Sequence, residues 1–199
     1  MLRTRYFILL ICLSFLLKAE AKVTLTSIWG SNMVLQQQSE VTFSGTATSG
    51  KRVQAIASWD NKKVQTNVDT KGEWKLTLQT PRAGGPYSIT FSDGEELKLQ
   101  NILIGEVWFC SGQSNMEMPV KGFRGQPVFG SQPYIVSANP QRPLRLYTVK
   151  NAWSTTPQET GVEGEWEEAS PEEVANFSAT AYFFGNQLQQ SLDIPVGLI

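Results

Sequence analysis

The sequence predicts two consecutive parts of different fold class, an all-β part over residues 22–101 and an α/β part over residues 102–199. In the first part, apolar and polar residues alternate, and turn-forming residues recur roughly every ten positions. In the second part, a nearly continuous apolar run is followed by a long loop, another strand pattern and an amphipathic helix. Hydrophobic residues make up 41% of the 199 residues and charged residues 18%, so the chain can bury a core.

Composition excludes several classes of function. The formal net charge is −1, which gives no electrostatic footprint for nucleic acid. The chain contains no histidine, whereas serine and cysteine hydrolases usually pass the nucleophile's proton to an imidazole and zinc sites usually contain one. A histidine-based reaction therefore cannot be completed by these residues alone, and we expect neither a metal nor another cofactor.

Residues 1–21 have the pattern of a secretory signal peptide. Two arginines precede an apolar run over residues 7–17, and small residues suited to cleavage follow up to Ala21. The run is well short of the ~20 residues that span a bilayer, so we predict a secreted or periplasmic protein with no membrane span. Cys12 would suggest a lipoprotein, but Ile11 stands where a small residue is expected. Removal of the leader leaves Cys110 without a partner for a disulfide.

Six sets of apolar residues with period two predict the strands of the all-β part. Turn formers such as Lys71-Gly72 and Asp93-Gly94 separate the sets, which is typical of an antiparallel sandwich of the immunoglobulin or jelly-roll kind. Trp74 and Tyr87 alternate with aliphatic residues and are predicted to lie in the core, whereas Trp59 is predicted to be exposed. The sets are Val41, Phe43; Val53, Ala55, Ala57; Val64, Thr66, Val68; Trp74, Leu76, Leu78; Tyr87, Ile89, Phe91; and Leu97, Leu99.

The α/β part begins with the apolar run Ile102–Cys110, which predicts a strand covered on both faces. Residues 119–143 are rich in proline and glycine and predict a long loop that would shape a ligand pocket. Residues 144–149 predict another strand. The acidic segment 159–173 lacks the spaced ligands of a calcium site and is predicted to be a solvated surface segment around Trp166.

An amphipathic helix is predicted over residues 176–192. Asn176 is a natural N-cap for it but also begins an Asn-Phe-Ser sequon, so capping and glycosylation remain alternatives. The strand pattern over 194–199 completes the second half of a βαβ step. Because the residues end inside that apolar run, we expect this chain to be the amino-terminal part of a longer protein. The inward stripe of the helix consists of Phe177, Ala181, Phe184 and Leu188, with Tyr182 and Leu192 at its edges.

The segment Glu106–Glu117 is the candidate for chemistry. A buried strand runs into a glycine-containing turn, and Ser114 stands at the start of a possible helix. This places a hydroxyl at the carboxyl end of a sheet strand, where α/β folds bind ligands, and beside backbone N–H groups that can stabilise an oxyanion. Ser114 and Glu117 also fit a Ser-x-x-Glu capping box, a purely structural role that the spacing alone favours.

The segment Val107–Met118, with Gly-Gln-Ser-Asn-Met-Glu at its centre, resembles the sialate O-acetylesterase-like branch of the SGNH (GDSL-type) hydrolases. The resemblance covers nearly all of the mature chain in order. It implies that residues 102–199 are the amino-terminal portion of an SGNH hydrolase domain with three α/β/α layers, incomplete in this chain. The further segments that carry it are residues 31–36, 69–74, 83–87, 144–149, 177–185 and 196–199.

The resemblance also implies a catalytic role for Ser114. In that family the serine of the motif is the nucleophile that attacks an acetyl ester on a sugar hydroxyl, and its backbone N–H donates to the oxyanion. Gln113 and Asn115 are implied as site support. The family's histidine–aspartate pair and its other oxyanion donors lie in later blocks, beyond Ile199, so this chain alone is expected to be inactive. The implied substrate is an O-acetylated sugar or glycan.

Two other functions remain open. The all-β part over residues 22–101 is a candidate glycan-binding module, because exposed aromatic residues such as Trp59 can stack on sugars. The chain is also a candidate inactive, truncated pseudoenzyme.

Overall fold

Strands form most of the regular structure in the computed structural model, which describes residues 22–156 and 163–199. The predicted signal peptide lies outside the described residues. Within the described ranges, the helices are all too short or too polar to cross a membrane.

Two sheets enclose the core of the first part. One contains β1 (Thr24–Leu25), β3 (Glu40–Thr46) and β6 (Glu73–Gln79), and the other includes β4 (Arg52–Ala57), β5 (Lys63–Asn67) and β7 (Gly84–Ser92). The ring centroids of Phe43 in β3 and Phe91 in β7 lie 5.3 Å apart, so the two sheets share one apolar core. The predicted strands are confirmed, and their apolar alternation is clearest in β4 and β6.

The burial of the aromatic residues of this part differs from the prediction at Trp59. Trp74 is buried as predicted, and Tyr87 packs against the core while half-buried. The prediction that Trp59 is exposed is wrong, since it is half-buried as well. Its ring meets that of Tyr87 edge-on at 5.8 Å, and its indole N–H donates to the carbonyl of Gln79 at 3.2 Å.

The long strand β8 (Glu96–Trp108) connects the two predicted parts. It pairs antiparallel with β7, and further along it pairs parallel with β2 (Val34–Gln36) and β11 (Val196–Leu198). The two apolar patterns predicted as separate strands are therefore one strand, which crosses the position where the sequence changes character. At that position Asn101 adopts a φ of 55° and donates from its side chain to Asn32 and Glu168, at 2.8 Å each.

The second part extends the same mixed sheet. Its strands follow the order β10 (Trp166–Glu168), β9 (Leu144–Tyr147), β11 and β8, and β11 pairs parallel with both of its neighbours. The last helix packs on β11, and this helix–strand step agrees with the predicted βαβ unit. Gly185 of the helix permits this approach, because a Cβ there would press into the side chain of Leu198.

The helix predicted over residues 176–192 is two helices, α3 (Pro171–Asn176) and α4 (Ala179–Leu192), numbered after two short helices described below. Asn176 ends α3, and Phe177 is extended, so the prediction of Asn176 as N-cap is wrong. Ser178 caps α4 instead, with its hydroxyl accepting from the N–H of Ala181 at 3.3 Å.

The buried face of α4 also differs from the predicted stripe. Ala181 is buried as predicted, and Tyr182, predicted at the edge of the stripe, is buried as well; Phe184 is 43% exposed, against the prediction. Asn186 and Gln189 are buried instead, because their side-chain oxygens accept hydrogen bonds from the guanidinium of Arg142 at 3.2 Å each.

The acidic segment is only partly a solvated surface. Trp166 in β10 is 5% exposed, its ring packs 5.4 Å from that of Tyr147, and its indole N–H donates to the carbonyl of Ile28 at 2.8 Å. The solvated prediction is therefore wrong for Trp166, since pairing with β9 turns alternate side chains of β10 into the core. The first acidic residue of the segment, Glu159, lies outside the described residues.

Candidate active site

Ser114 begins the one-turn helix α1 (Ser114–Glu117), which follows the carboxyl end of β8. Its side chain is exposed and forms no hydrogen bond with the described residues. Gln113 occupies the N-cap position without a side-chain cap bond, so the capping box suggested by the spacing of Ser114 and Glu117 does not form. The hydroxyl of Ser114 is therefore available for another role.

Contacts to the N-terminal end of α4 hold α1 in place. The hydroxyl of Thr180 donates to the carbonyl of Asn115 at 3.0 Å, and the N–H of Ala179 donates to the carbonyl of Met118 at 2.8 Å. The hydroxyl of Ser178 also donates to the sulfur of Met116 at 3.3 Å. These contacts fix the helix that carries Ser114 relative to α4.

Two glutamines hold the carboxyl end of β8: Gln36, the last residue of β2, and Gln37, which follows it. Glu106 accepts hydrogen bonds from the side-chain amides of Gln36 at 3.1 Å and Gln37 at 2.8 Å. Gln36 also accepts from the N–H of Val107 at 3.0 Å. The first part of the chain thus fixes the strand that leads to Ser114.

Two backbone N–H groups at the start of α1 remain free. The carbonyl of Gln113 accepts from the N–H groups of Met116 at 2.8 Å and Glu117 at 3.0 Å. The N–H groups of Ser114 and Asn115 have no acceptor within the described residues, as expected in the first turn of a helix. Donors next to a nucleophilic hydroxyl are suited to stabilising an oxyanion.

A cavity of about 820 Å³ opens beside this helix. Gln113, Met116 and Glu117 line it, while Ser114 and Asn115 are not among its lining residues. The segment Tyr147–Ser154 also lines it, together with residues after β8, after β11 and around the junction of α3 and α4. The cavity therefore lies at the carboxyl ends of β8, β9 and β11, which is the usual ligand position in α/β sheets.

The loop over residues 119–143 does not line this cavity, so the prediction that it shapes the pocket is wrong. The loop contains the short helix α2 (Gln132–Val136), and its beginning runs along α3 and the start of α4 through backbone bonds of Val120 to Phe177 and Lys121 to Ala175. These bonds attach the beginning of the loop to the end of α3 and to Phe177. The wall it was expected to supply comes from the segment after β9.

Cys110 is another candidate nucleophile at this edge of the sheet. Its thiol lies in the cavity wall, and burial raises its pKa. A raised pKa keeps the thiol protonated near neutral pH, and a thiol is a far weaker nucleophile than a thiolate. Ser114 is therefore the better candidate nucleophile of the two.

The described residues supply neither a base for Ser114 nor a metal site. No side chain among them bonds to the Ser114 hydroxyl, and the chain contains no histidine. Over residues 22–156 and 163–199, no three histidine, cysteine, aspartate or glutamate residues are grouped so that they could hold a metal ion. The site as described has a hydroxyl, two N–H donors and a cavity.

Comparison with known proteins supports the predicted family resemblance. No family model matches the chain. Over 150 residues it is 27% identical to the sialate O-acetylesterases of Homo sapiens and Rattus norvegicus, a match covering 69% of this chain. The structure of a carbohydrate acetylesterase from Xanthomonas citri superimposes with a TM-score of 0.80 over 88% of this chain, at 31% identity. The chain is thus similar to sialate O-acetylesterases over most of its length. The predicted family resemblance is thus confirmed.

The chain spans only part of the length of these relatives. The match covers 28% of the human protein and 27% of the rat protein, and the superposition covers 39% of the Xanthomonas citri chain. Roles for Ser114, Gln113 and Asn115 are therefore proposals, which rest on their geometry here and on the motif.

Sequence reasoning missed the cavity wall over Tyr147–Ser154. Trp153 in this wall is 90% exposed, and Phe109 after β8 is 74% exposed. The available signal was position, because residues that directly follow a parallel strand lie at the same edge as Ser114. Because the segment is largely polar, it was not predicted to line a ligand pocket.

Proposed function

We propose that this chain is the amino-terminal portion of a secreted carbohydrate O-acetylesterase with Ser114 as its nucleophile. The observation that carries the proposal is the exposed Ser114 hydroxyl beside the cavity at the carboxyl edge of the sheet, which makes no hydrogen bond within residues 22–156 and 163–199. The sialate and carbohydrate acetylesterases among its relatives support the substrate class, an O-acetylated sugar or glycan.

The proposed reaction has two steps. The Oγ of Ser114 bonds to the acetyl carbonyl carbon while its proton passes to a base, the ester C–O bond breaks, and the sugar leaves as an alcohol after accepting that proton. Water then adds to the acetyl-serine, acetate leaves, and Ser114 regains its proton. The free N–H groups of Ser114 and Asn115 donate to the oxyanion in both steps.

The base and the remaining oxyanion donors are proposed to come from residues beyond Ile199, in a longer protein. The small share of the relatives' length that this chain matches supports this. The SGNH fold with three α/β/α layers is proposed for that complete domain. Gln113 lines the cavity and is proposed to contact substrate. Asn115 is proposed to support the site through its backbone carbonyl, which accepts a hydrogen bond from the Thr180 hydroxyl. This chain alone is proposed to be inactive.

Acetate release tests the proposal. The longest natural protein that contains this chain should release acetate from acetylated xylobiose or from an O-acetylated sialic acid, and Ser114→Ala should abolish the release. Ser111→Ala is the matched control, because Ser111 lines the same cavity but does not begin α1. Full activity in Ser114→Ala would contradict the proposed nucleophile, and no release from either sugar would contradict the proposed esterase.

Secretion is proposed from the leader. Expression with residues 1–21 in place should give an exported protein whose amino terminus is Lys22, as read by mass spectrometry. An uncleaved chain retained inside the cell would contradict it.

A further inference from the structure

The cavity beside Ser114 is larger than an acetyl group requires. Its volume of about 820 Å³ lies within the range of pockets that enclose drug-sized ligands. Residues of α1, the residues after β8 and the segment Tyr147–Ser154 all line it. The segment Tyr147–Ser154 is therefore available to contact the group that carries the acetyl ester.

Two aromatic side chains in these walls are left in water. Trp153 is 90% exposed and Phe109 is 74% exposed, although both line the cavity. Covering exposed aromatic surface of this size with the apolar face of a ligand makes the free energy of binding more favourable. A pyranose ring has such a face, formed by its C–H groups, and hydroxyls at its edge that stay hydrated.

The segment that carries Trp153 is anchored to the rest of the sheet region. The N–H of Lys150 donates to the carbonyl of Glu163 at 2.8 Å, and the side chains of the two residues form an exposed ion pair at 3.4 Å. Trp153 thus follows closely after a backbone hydrogen bond that joins the segment after β9 to the segment before β10. Phe129, by contrast, is fully exposed but lies in the loop that does not line the cavity.

We propose that Trp153 is the stacking platform for the sugar ring that bears the acetyl ester and that it sets the preference for sugar esters over simple acetate esters. This inference rests on the proposed function and deepens it, because it assigns the sugar-binding wall of the site. Phe109 adds a second aromatic surface in the same cavity.

Steady-state hydrolysis by the longest natural protein containing this chain tests the proposal with three esters: acetylated xylobiose, an O-acetylated sialic acid and ethyl acetate. Trp153→Ala should raise KM for the preferred sugar ester about 3- to 10-fold, the loss of one aromatic contact, and change kcat less than about 2-fold. Trp153→Phe should keep most of the affinity. KM for ethyl acetate should not change, and Phe129→Ala should leave all three esters unaffected.

The outcomes separate this inference from the proposed function. An unchanged KM for the sugar esters in Trp153→Ala, or an equal loss with ethyl acetate, would overturn the stacking role while leaving the esterase intact. If the wild-type protein hydrolyses none of the esters, the proposed function fails. In that case, calorimetric titration of the same protein with acetylated xylobiose and the O-acetylated sialic acid tests the stacking role alone. Binding that is lost in Trp153→Ala supports the role of Trp153. Binding that is retained in Trp153→Ala, or that is absent in the wild type, overturns it.

Discussion

Removing the charge of Glu168 should destabilise the sheet beside the cavity. Glu168 in β10 accepts from Arg145 in β9 at 3.2 Å and from Asn101 in β8 at 2.8 Å, so it connects three strands. The side chain of Arg145 is 5% exposed and that of Glu168 is 40% exposed. Burial lowers the pKa of Arg145, and the charge of Glu168 opposes that shift. Glu168→Gln keeps an oxygen acceptor but removes the compensating charge.

The expected magnitude lies between two limits. Breaking a fully buried ion pair costs about 3–5 kcal/mol, and an exposed pair contributes about 0–1 kcal/mol. Because Glu168 is partly hydrated, we expect Glu168→Gln to lower the free energy of unfolding by about 1–3 kcal/mol. With a urea m-value of about 2 kcal/mol per molar, the unfolding midpoint falls by about 0.5–1.5 M.

Urea unfolding of the chain, followed by tryptophan fluorescence, measures this shift. Glu163→Gln is the matched control, because Glu163 pairs with Lys150 in a pair whose side chains are 72% and 71% exposed. Its midpoint should change by less than about 0.3 M. Equal midpoints for Glu168→Gln and Glu163→Gln would refute the reasoning that burial of Arg145 makes its partner important.

Three further changes test the fold and its electrostatics. Ser178→Ala should lower the free energy of unfolding by about 1 kcal/mol, the usual contribution of an N-cap, whereas Asn176→Ala should lower it by less than about 0.5 kcal/mol. The reverse order in urea unfolding would contradict Ser178 as the cap of α4. Gly105→Ala should cost about 2 kcal/mol or more, because a Cβ there overlaps the carbonyl of Pro195, while Gly30→Ala, at a position with open space, should cost less than about 1 kcal/mol. Glu167→Gln should stabilise the chain at pH 7, because burial and the charges of Glu173, Glu165 and Glu168 raise the pKa of Glu167 in the folded state. The folded state therefore disfavours the charged form, and the gain should disappear at about pH 3.5, where the carboxyl is protonated whether folded or not; a gain that persists there would refute this cause.

The strands were predictable because their burial follows a simple period. In β4 and β6, every second residue faces one shared core, so the apolar alternation of Val53, Ala55 and Ala57, and of Trp74, Leu76 and Leu78, agrees with the observed burial. The family resemblance was predictable for a different reason, since the residues of the motif around Ser114 carry it directly.

The remaining features depend on partners that are distant in the sequence. Asn186 and Gln189 are buried because Arg142 donates to them, which no helical period indicates. Trp166 is buried because β10 pairs with β9. The cavity wall around Trp153 could not be assigned from its own residues, because only the parallel pairing of β9 with β11 brings it to the edge that carries Ser114.

The most direct test of the central claim is covalent labelling of Ser114. A fluorophosphonate applied to the longest natural protein that contains this chain should react with the Ser114 hydroxyl, and peptide mass spectrometry should find the adduct on the segment Gly112–Glu117. The label should be absent from Ser114→Ala and present in Ser111→Ala. A protein that hydrolyses acetylated sugar but carries the adduct on another serine, or on none, would contradict the assignment of Ser114 as the nucleophile.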